Sequence, residues 1–518
     1  RAPTLVNKYV ASGAALAGKN VVSSEEITNT SMAFMATLEN IKVAGDQSNI
    51  SGVNHSILHG FNYSPPEAPF PGWIRYGAYF NEQNTWWPYF RKWSDYKARI
   101  SYLLQNATPR ANVAILQPLT DLWLKFGPQR DPFPQKWYPE YQNNLWEAIH
   151  QNGGGCDYVS EHIIRSASFE NGRMLYGDRA YGTLLLPGIE TMDPETARSL
   201  SAFADAGGKV VFLGKKPFKS AAYSDAESSD SAVIEEVSAL LERTEGNVVI
   251  YPSPQGDPIE WDGQLMDDLG LDSYVRFKKT HKYLSQSSYK LGPNSMYFLA
   301  NTSLYEDIPV HAEFREDKTL TPWIWNPETG ERLRYPTDGA NNIIDLLLPR
   351  ATSLLLVFED VADGEQYQPM GLDTAGKEII GPWTLNLYHM NGDRQELELD
   401  VLSDLLEIPL AKDFAGTVIY ETNLDLESGD YRQIDLGQVQ GISELSLNGT
   451  ALGTRWYGAH VYDLGAAVKA GENSLRIKLT TISGNYVKSL KDNPVAQRWT
   501  GRQDNYPMGI LGPVRISS

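Results

Sequence analysis

Residues 20–87 constrain this chain more than any other stretch, because two strand-like runs are separated there by a helical one. Residues 21–28 (VVSSEEIT) form a short β-branched run that ends on two carboxylates, and residues 52–60 (GVNHSILHG) form a second run that opens into an aromatic loop. Between them, residues 31–45 carry Met32, Met35, Leu38 and Ile41 at helical spacing. Strand, helix, strand is the parallel crossover unit. In barrels built from that unit, polar residues at the carboxyl ends of the strands point into the active site, which makes Glu25, Glu26 and His59 candidates for chemistry. Adjacent glutamates after a strand equally suit the first turn of a following helix, where the dipole favours negative charge. Position alone leaves both readings open.

Residues 4–18 read as a helix that stops at Gly18. A chain that enters on a helix and then shows two strand units does not close an eightfold barrel, so earlier strands are expected outside this numbering. The first residue is Arg1 rather than Met, as after removal of a leader or for a start inside a longer protein. After Gly60 the chain runs through Phe61, Asn62, Tyr63, Phe70, Trp73, Tyr76, Tyr79 and Phe80 to Trp86 and Trp87. Aromatic faces beside Asn and Glu suit sugars, whose C–H faces stack on rings while their hydroxyls take polar partners. The alternative is a proline-rich loop that packs its own rings as a cover. A helix over 89–105, with Tyr96, Ile100, Leu103 and Leu104 on one side, completes this part.

Near Pro109 the pattern resets. Strands are expected at 111–116, from 157, at 183–187 and at 209–213, with helices at 141–151 and from Asp193, a capping residue followed by Pro194. Alternation of that kind implies an open parallel sheet of flavodoxin type. No glycine-rich phosphate fingerprint follows its first strand, and Gly153 to Gly155 come after a helix, so they read as a turn. Cys156 lacks a nucleophile elbow and reads as a small core residue. From about residue 271 strands take over, at 295–300, 309–314, 321–325, 343–348 and 353–358, as in a β-sandwich. A second all-β module starts near Gly381, with strands at 417–421, 431–436, 444–447 and 474–479 and the hairpin pair Asn448 and Gly449. Its Trp456, Tyr457 and His460 suit either a lectin surface or a core corner.

At 518 residues the chain is long enough for several domains, and 42% apolar and 11% aromatic residues suffice for well-filled cores. The formal charge of −19, from 45 basic and 64 acidic residues, disfavours nucleic acid and anionic lipid as partners. A single cysteine allows no intrachain disulfide and no cysteine-rich metal site, which fits cytoplasm and periplasm alike. No apolar run reaches the roughly 18 residues of a membrane span.

Taken in order, VVSSEEIT, GVNHSILHGF, NTWWPYF, the α/β module, the turn WNPETGE, the GPW at 381–383 and the ending YPMGILGPV resemble the C-terminal half of family 106 of the glycoside hydrolases, the α-L-rhamnosidases. The match covers nearly the whole chain. The stretch LSLNGTALGTRWYG is similar to the galactose-binding-like sandwich shared with family 2 glycosidases. The resemblance implies a multidomain α/β plus all-β chain: the C-terminal part of a (β/α)8 catalytic barrel (1–108), a flavodoxin- or amidotransferase-like α/β domain (109–270), a β-sandwich (271–375) and a galactose-binding-like β-sandwich (376–518).

It further implies hydrolysis of terminal α-L-rhamnose by an inverting pair of carboxyl groups, separated by roughly 6.5 to 9.5 Å so that water fits between base and anomeric carbon. Glu25 matches the strand-end glutamate and is the expected general base. Glu26, of opposite strand parity, is expected to point away and hold a neighbouring loop, counted with the substrate-binding residues, and a twist or bulge at Ser24 would exchange the two roles. His59 is assigned to a sugar hydroxyl or to orienting a carboxylate, Asn62 and Tyr63 to substrate contact, and Trp86 and Trp87 to the walls of the site. The catalytic acid is expected on an earlier strand, on an N-terminal segment that completes the barrel. Calcium near the sugar hydroxyls is implied, without assignable ligands, and no organic cofactor. The partner is a rhamnose-containing carbohydrate, and the location periplasmic or secreted from a bacterium. Two other classes stay open: a β-galactosidase-like or family 2-like retaining glycosidase, and a non-catalytic carbohydrate-binding protein.

Overall fold

The opening segment runs α1 (Leu5–Leu16), β1 (Ser23–Glu26), α2 (Leu38–Ile50), β2 (His55–Leu58) and α3 (Phe90–Gln105). This computed structural model describes residues 4–28, 33–73, 78–128, 137–243, 245–337, 342–368 and 376–518. β1 and β2 are parallel, with Ser23 opposite His55 and Glu25 opposite Ile57. Among the described residues they pair only with each other, so each has an open outer edge.

The helix expected at 31–45 lies further along. Thr37 takes an extended backbone and forms a reciprocal capping box with Asn40, which fixes the start at Leu38. Met35 is instead a buried loop residue, and Ser31 and Met32 lie outside the described residues. α2 buries polar groups as well as apolar ones, because it lies between the strands and the modules that follow. Lys42 and Asp46 pair at i,i+4 at 2.7 Å and are both buried.

The next module is a five-stranded parallel sheet. Its order is Val248–Tyr251, Lys209–Leu213, Thr183–Pro187, Val113–Leu116, Cys156–Val159. Counted along the module this is 5-4-3-1-2, the order of flavodoxin-like sheets. Its glycine turn serves packing. Gly153 has φ +85°, and a Cβ there would come within 1.8 Å of the Val275 carbonyl oxygen. Cys156 is fully buried, and burial pushes its thiol up to about 12, as suits a core residue.

Antiparallel sheets make up the rest. One of six strands and one of three enclose a core that includes Tyr297, Phe314 and Phe358. The C-terminal module has a six-stranded sheet centred on Gly416–Leu426 and Gly471–Thr480, facing a four-stranded one. Asn448 and Gly449 form its hairpin turn, both with positive φ. Trp456 and His460 are buried. Trp456 Nε1 and the Tyr457 hydroxyl donate to the two oxygens of Glu328, at 2.9 and 3.2 Å. This trio is therefore a core corner joining two modules, and the lectin-surface alternative is ruled out. One apolar cluster runs through all the modules, from Leu5 through Ile115, Phe298 and Trp383 to Ile516. Among the described residues no helix is long and apolar enough to cross a membrane.

A buried acid in the α/β module gives a stability test. Asp262, in the helix Pro258–Leu269, is 1% exposed and accepts one hydrogen bond, from Asn152 Nδ2 at 3.0 Å. Burial raises its carboxyl to about 7. With the folded value above the unfolded one, the stability it contributes is complete below about pH 4 and is lost as pH rises through about 7, by about 4 kcal/mol in all. Asp262→Asn removes this titration. The variant is expected to match wild type in urea unfolding at pH 4 and to exceed it by a few kcal/mol at pH 8. Equal differences at both pH values would refute the assignment.

Candidate active site

The alternation of β1 and β2 sorts their side chains onto two faces. Ser23, Glu25, His55 and Ile57 lie on an exposed face, while Glu26 turns toward the helices. Glu25 stands at the carboxyl end of β1 with its side chain 68% exposed. Ile27 follows with φ +63°, a left-handed conformation that costs a β-branched residue about 1–3 kcal/mol. That turn brings Thr28 back toward the strand end. The Thr28 hydroxyl donates to Glu25 Oε1 at 3.3 Å and lies 2.9 Å from His59 Nδ1. Since the hydroxyl has one hydrogen, the contact with His59 is made with Nδ1 as donor. His59 Nδ1 is also 3.6 Å from Glu25 Oε1. A solvated carboxylate beside a hydroxyl and an imidazole is the setting of a base or nucleophile. A general acid is held protonated by an apolar wall instead.

Glu26 points away from the Glu25 face, as its strand parity implies, and its burial takes it out of the set expected to contact substrate. It is 5% exposed, accepts from Ser56 Oγ, and lies 3.7 Å from the Lys97 ammonium on α3. Lys97 also donates to Asn49 Oδ1 at 2.7 Å, and burial lowers it from the usual lysine range. Glu26 therefore fastens β1 to the helices from behind, on the face opposite Glu25. Trp86 is the second correction. It is 1% exposed, its Nε1 donates to the Ala36 carbonyl at 2.9 Å, and it belongs to the core. An aromatic–aromatic pair in a sequence does not say which ring faces inward, and here Trp86 does.

Trp87 is half-buried, stacked on Phe90 at 5.0 Å and edge-on to Phe61. Tyr63 is exposed, as are Phe61 and Trp73. Asn62 is partly buried, and its backbone carbonyl accepts from Asn81 Nδ2 at 2.7 Å. The loop thus does both things its composition suggested, packing some rings and exposing others. Tyr76 lies outside the described residues.

Thr28 and the pair Ser23–His55, joined Oγ to Nδ1 at 2.8 Å, were not singled out from sequence. Ser23 and His55 share the strand face of Glu25, so strand parity was the available signal. A partly open cavity of about 150 Å³ lies at the other end of the strands, lined by Val22, Asn54, Lys8, His150 and Asp157. Among the described residues no three His, Cys, Asp or Glu side chains converge as a metal site requires. Calcium takes about six to eight oxygens; of the described acidic side chains at these strand ends, Glu25 is open to solvent and Glu26 is committed to Lys97.

Residues 5–335 match the glycoside hydrolase family 106 model, described as alpha-L-rhamnosidase. A Formosa agariphila protein named "Putative beta-glucuronidase" is 26% identical over 427 residues, which are 81% of this chain and 32% of that protein. The structure of a rhamnosidase from Novosphingobium sp. PP1Y superposes with a TM-score of 0.69 at 23% identity, over 99% of this chain and 49% of that one. This likeness shows a shared fold. The chain thus spans about a third of the curated relative and about half of the solved structure.

Proposed function

Since this chain belongs to glycoside hydrolase family 106, the α-L-rhamnosidases, we propose that it forms part of an enzyme releasing terminal α-L-rhamnose with Glu25 as general base. The observation that carries the reading is the Glu25 carboxylate at the carboxyl end of β1, on the exposed strand face, with Thr28 and His59 against it. In the inverting reaction Glu25 takes a proton from water as the water attacks the anomeric carbon, while a carboxylic acid across the ring protonates the leaving oxygen. His59 fixes the carboxylate through Thr28, and Tyr63 and Trp87 offer ring faces to the sugar.

The acid belongs, on this reading, to strands that complete the barrel. The open edges of β1 and β2 and their exposed face support such a complement, supplied by an N-terminal segment of the same protein. Calcium at the sugar hydroxyls would need several oxygen ligands besides the Glu25 carboxylate. The substrate is a rhamnose-containing glycan or glycoside met in the periplasm or outside the cell.

Intact mass and hydrolysis of an aryl α-L-rhamnoside by the protein purified from its source test the reading together. The expected results are a mass above 57.8 kDa and release of rhamnose whose first anomer, followed by proton NMR, is inverted. A retained first anomer would point to a nucleophile and the closer pair of carboxyl groups, about 5 Å apart. Release from an aryl β-D-glucuronide alone would favour the activity named for the Formosa relative. No release from either would leave a carbohydrate-binding scaffold.

A further inference from the structure

The loops that leave the carboxyl ends of β1 and β2 are held together from the far end of the chain. Phe34, from the first loop, and Tyr79, from the second, both have left-handed backbone, with φ +57° and +55°. Their buried rings stack at 4.4 Å with planes 9° apart. The pair is covered by two short helices of the C-terminal module, Gly484–Ser489 and Pro494–Thr500, through Val487 and Ala496.

Polar ties run the same way. Gln503 Nε2 donates to the Ala33 carbonyl at 3.0 Å, and Asn493 Nδ2 donates to the Phe70 carbonyl at 3.1 Å. The Phe70 ring stacks on Tyr486 at 5.4 Å. Closer to Trp86, the backbone N–H of Thr85 donates to Ser483 Oγ at 3.3 Å, and the Thr85 hydroxyl donates to the Thr481 carbonyl. One loop follows Glu25 and Thr28. The other follows His59 and carries Asn62, Tyr63 and Trp73.

We propose that residues 481–503 are a clamp that sets the substrate-binding geometry of the two loops, with Asn493 and Gln503 as positioning residues. The proposal rests on the strand face of Glu25 being the active site. A loop hung between a strand end and a second module has its position fixed at both ends, and a sugar site needs its contacts held to within a fraction of an ångström. Asn493 does two separable things: its Oδ1 accepts from Val495 and Ala496 N–H and caps the second helix, while its Nδ2 holds the loop. Asn493→Asp keeps the cap and deletes the tie. Gln503→Glu deletes the tie to Ala33 without changing shape.

In the protein with its barrel complete, each substitution is expected to raise KM for an aryl α-L-rhamnoside by about tenfold. kcat should stay within about twofold and the melting temperature unchanged, while amide exchange quickens in residues 33–37 and 61–73. A purely structural role would instead lower melting temperature and active fraction together and leave KM in place, and that result overturns the proposal. So do unchanged KM and unchanged exchange in variants of an enzyme that Glu25→Gln inactivates, an outcome that leaves the active-site reading standing. Wild-type protein without turnover overturns both.

Discussion

Glu25→Gln in the protein purified from its source is expected to lower kcat on an aryl α-L-rhamnoside by about 10²–10⁴-fold, the usual worth of a general base, the role proposed for it. The substitution keeps an oxygen for the Thr28 hydroxyl, which sits 3.3 Å from the present carboxylate, and the side chain is 68% exposed. Folding is therefore untouched, and the thermal unfolding profile should superpose on that of wild type. KM should change little, because the base acts on water rather than on the bound sugar. A kcat within tenfold of wild type would remove Glu25 from the reaction.

Asp46→Ala is expected to destabilise the protein by about 3–5 kcal/mol, the cost of leaving a buried charge without its partner. Asp46 Oδ2 accepts from Lys42 Nζ and from Ser353 Oγ, each at 2.7 Å, and Oδ1 accepts from the Tyr96 hydroxyl at 2.7 Å. Lys42 also donates to the Ala351 carbonyl and to Ser353 Oγ, and its ammonium lies 4.4 Å from the Tyr457 ring centroid. One knot thus joins α2, α3, the first sandwich and the C-terminal module. Removing the carboxylate strands the ammonium, whereas Lys42→Met with Asp46→Leu removes both charges and should cost less than Asp46→Ala alone. The first transition in urea unfolding reads the difference. A double variant as unstable as the sum of the singles would show that the two charges act independently.

The predictions separate along a physical line. The place of Glu25, on the exposed face at a strand end, was legible because a β-branched run ending in a carboxylate is a local pattern, and strand alternation says which of two neighbours faces which way. The same alternation turned Glu26 inward, yet its partner Lys97 stands on α3, 71 positions later in the chain, where no local pattern connects them. Trp86 and Trp87 show the limit more sharply. Both are large and apolar, and only the packing of Trp86 against Ala36 and Phe90 decides that it is core. The start of α2 depended on a capping box whose Thr37 and Asn40 are visible in sequence, but the apolar spacing of Met32 and Met35 pointed earlier.

The sequence by itself determined the family through the order of its motifs, and through short-range periodicity and capping it set four of the five parallel strands of the α/β module and the strand end that carries Glu25; the fifth strand, Val248–Tyr251, and the helix before it, Ala226–Leu241, were not read from it. Tertiary structure alone decided that Lys97 is the partner of Glu26, that Trp456 and His460 are core, and that residues 481–503 contact the loops after β1 and β2. Those outcomes are contacts between residues far apart in the chain, from 71 positions for Glu26 and Lys97 to 470 for Gln503 and Ala33, and burial and hydrogen bonding at such range are set by how the modules pack.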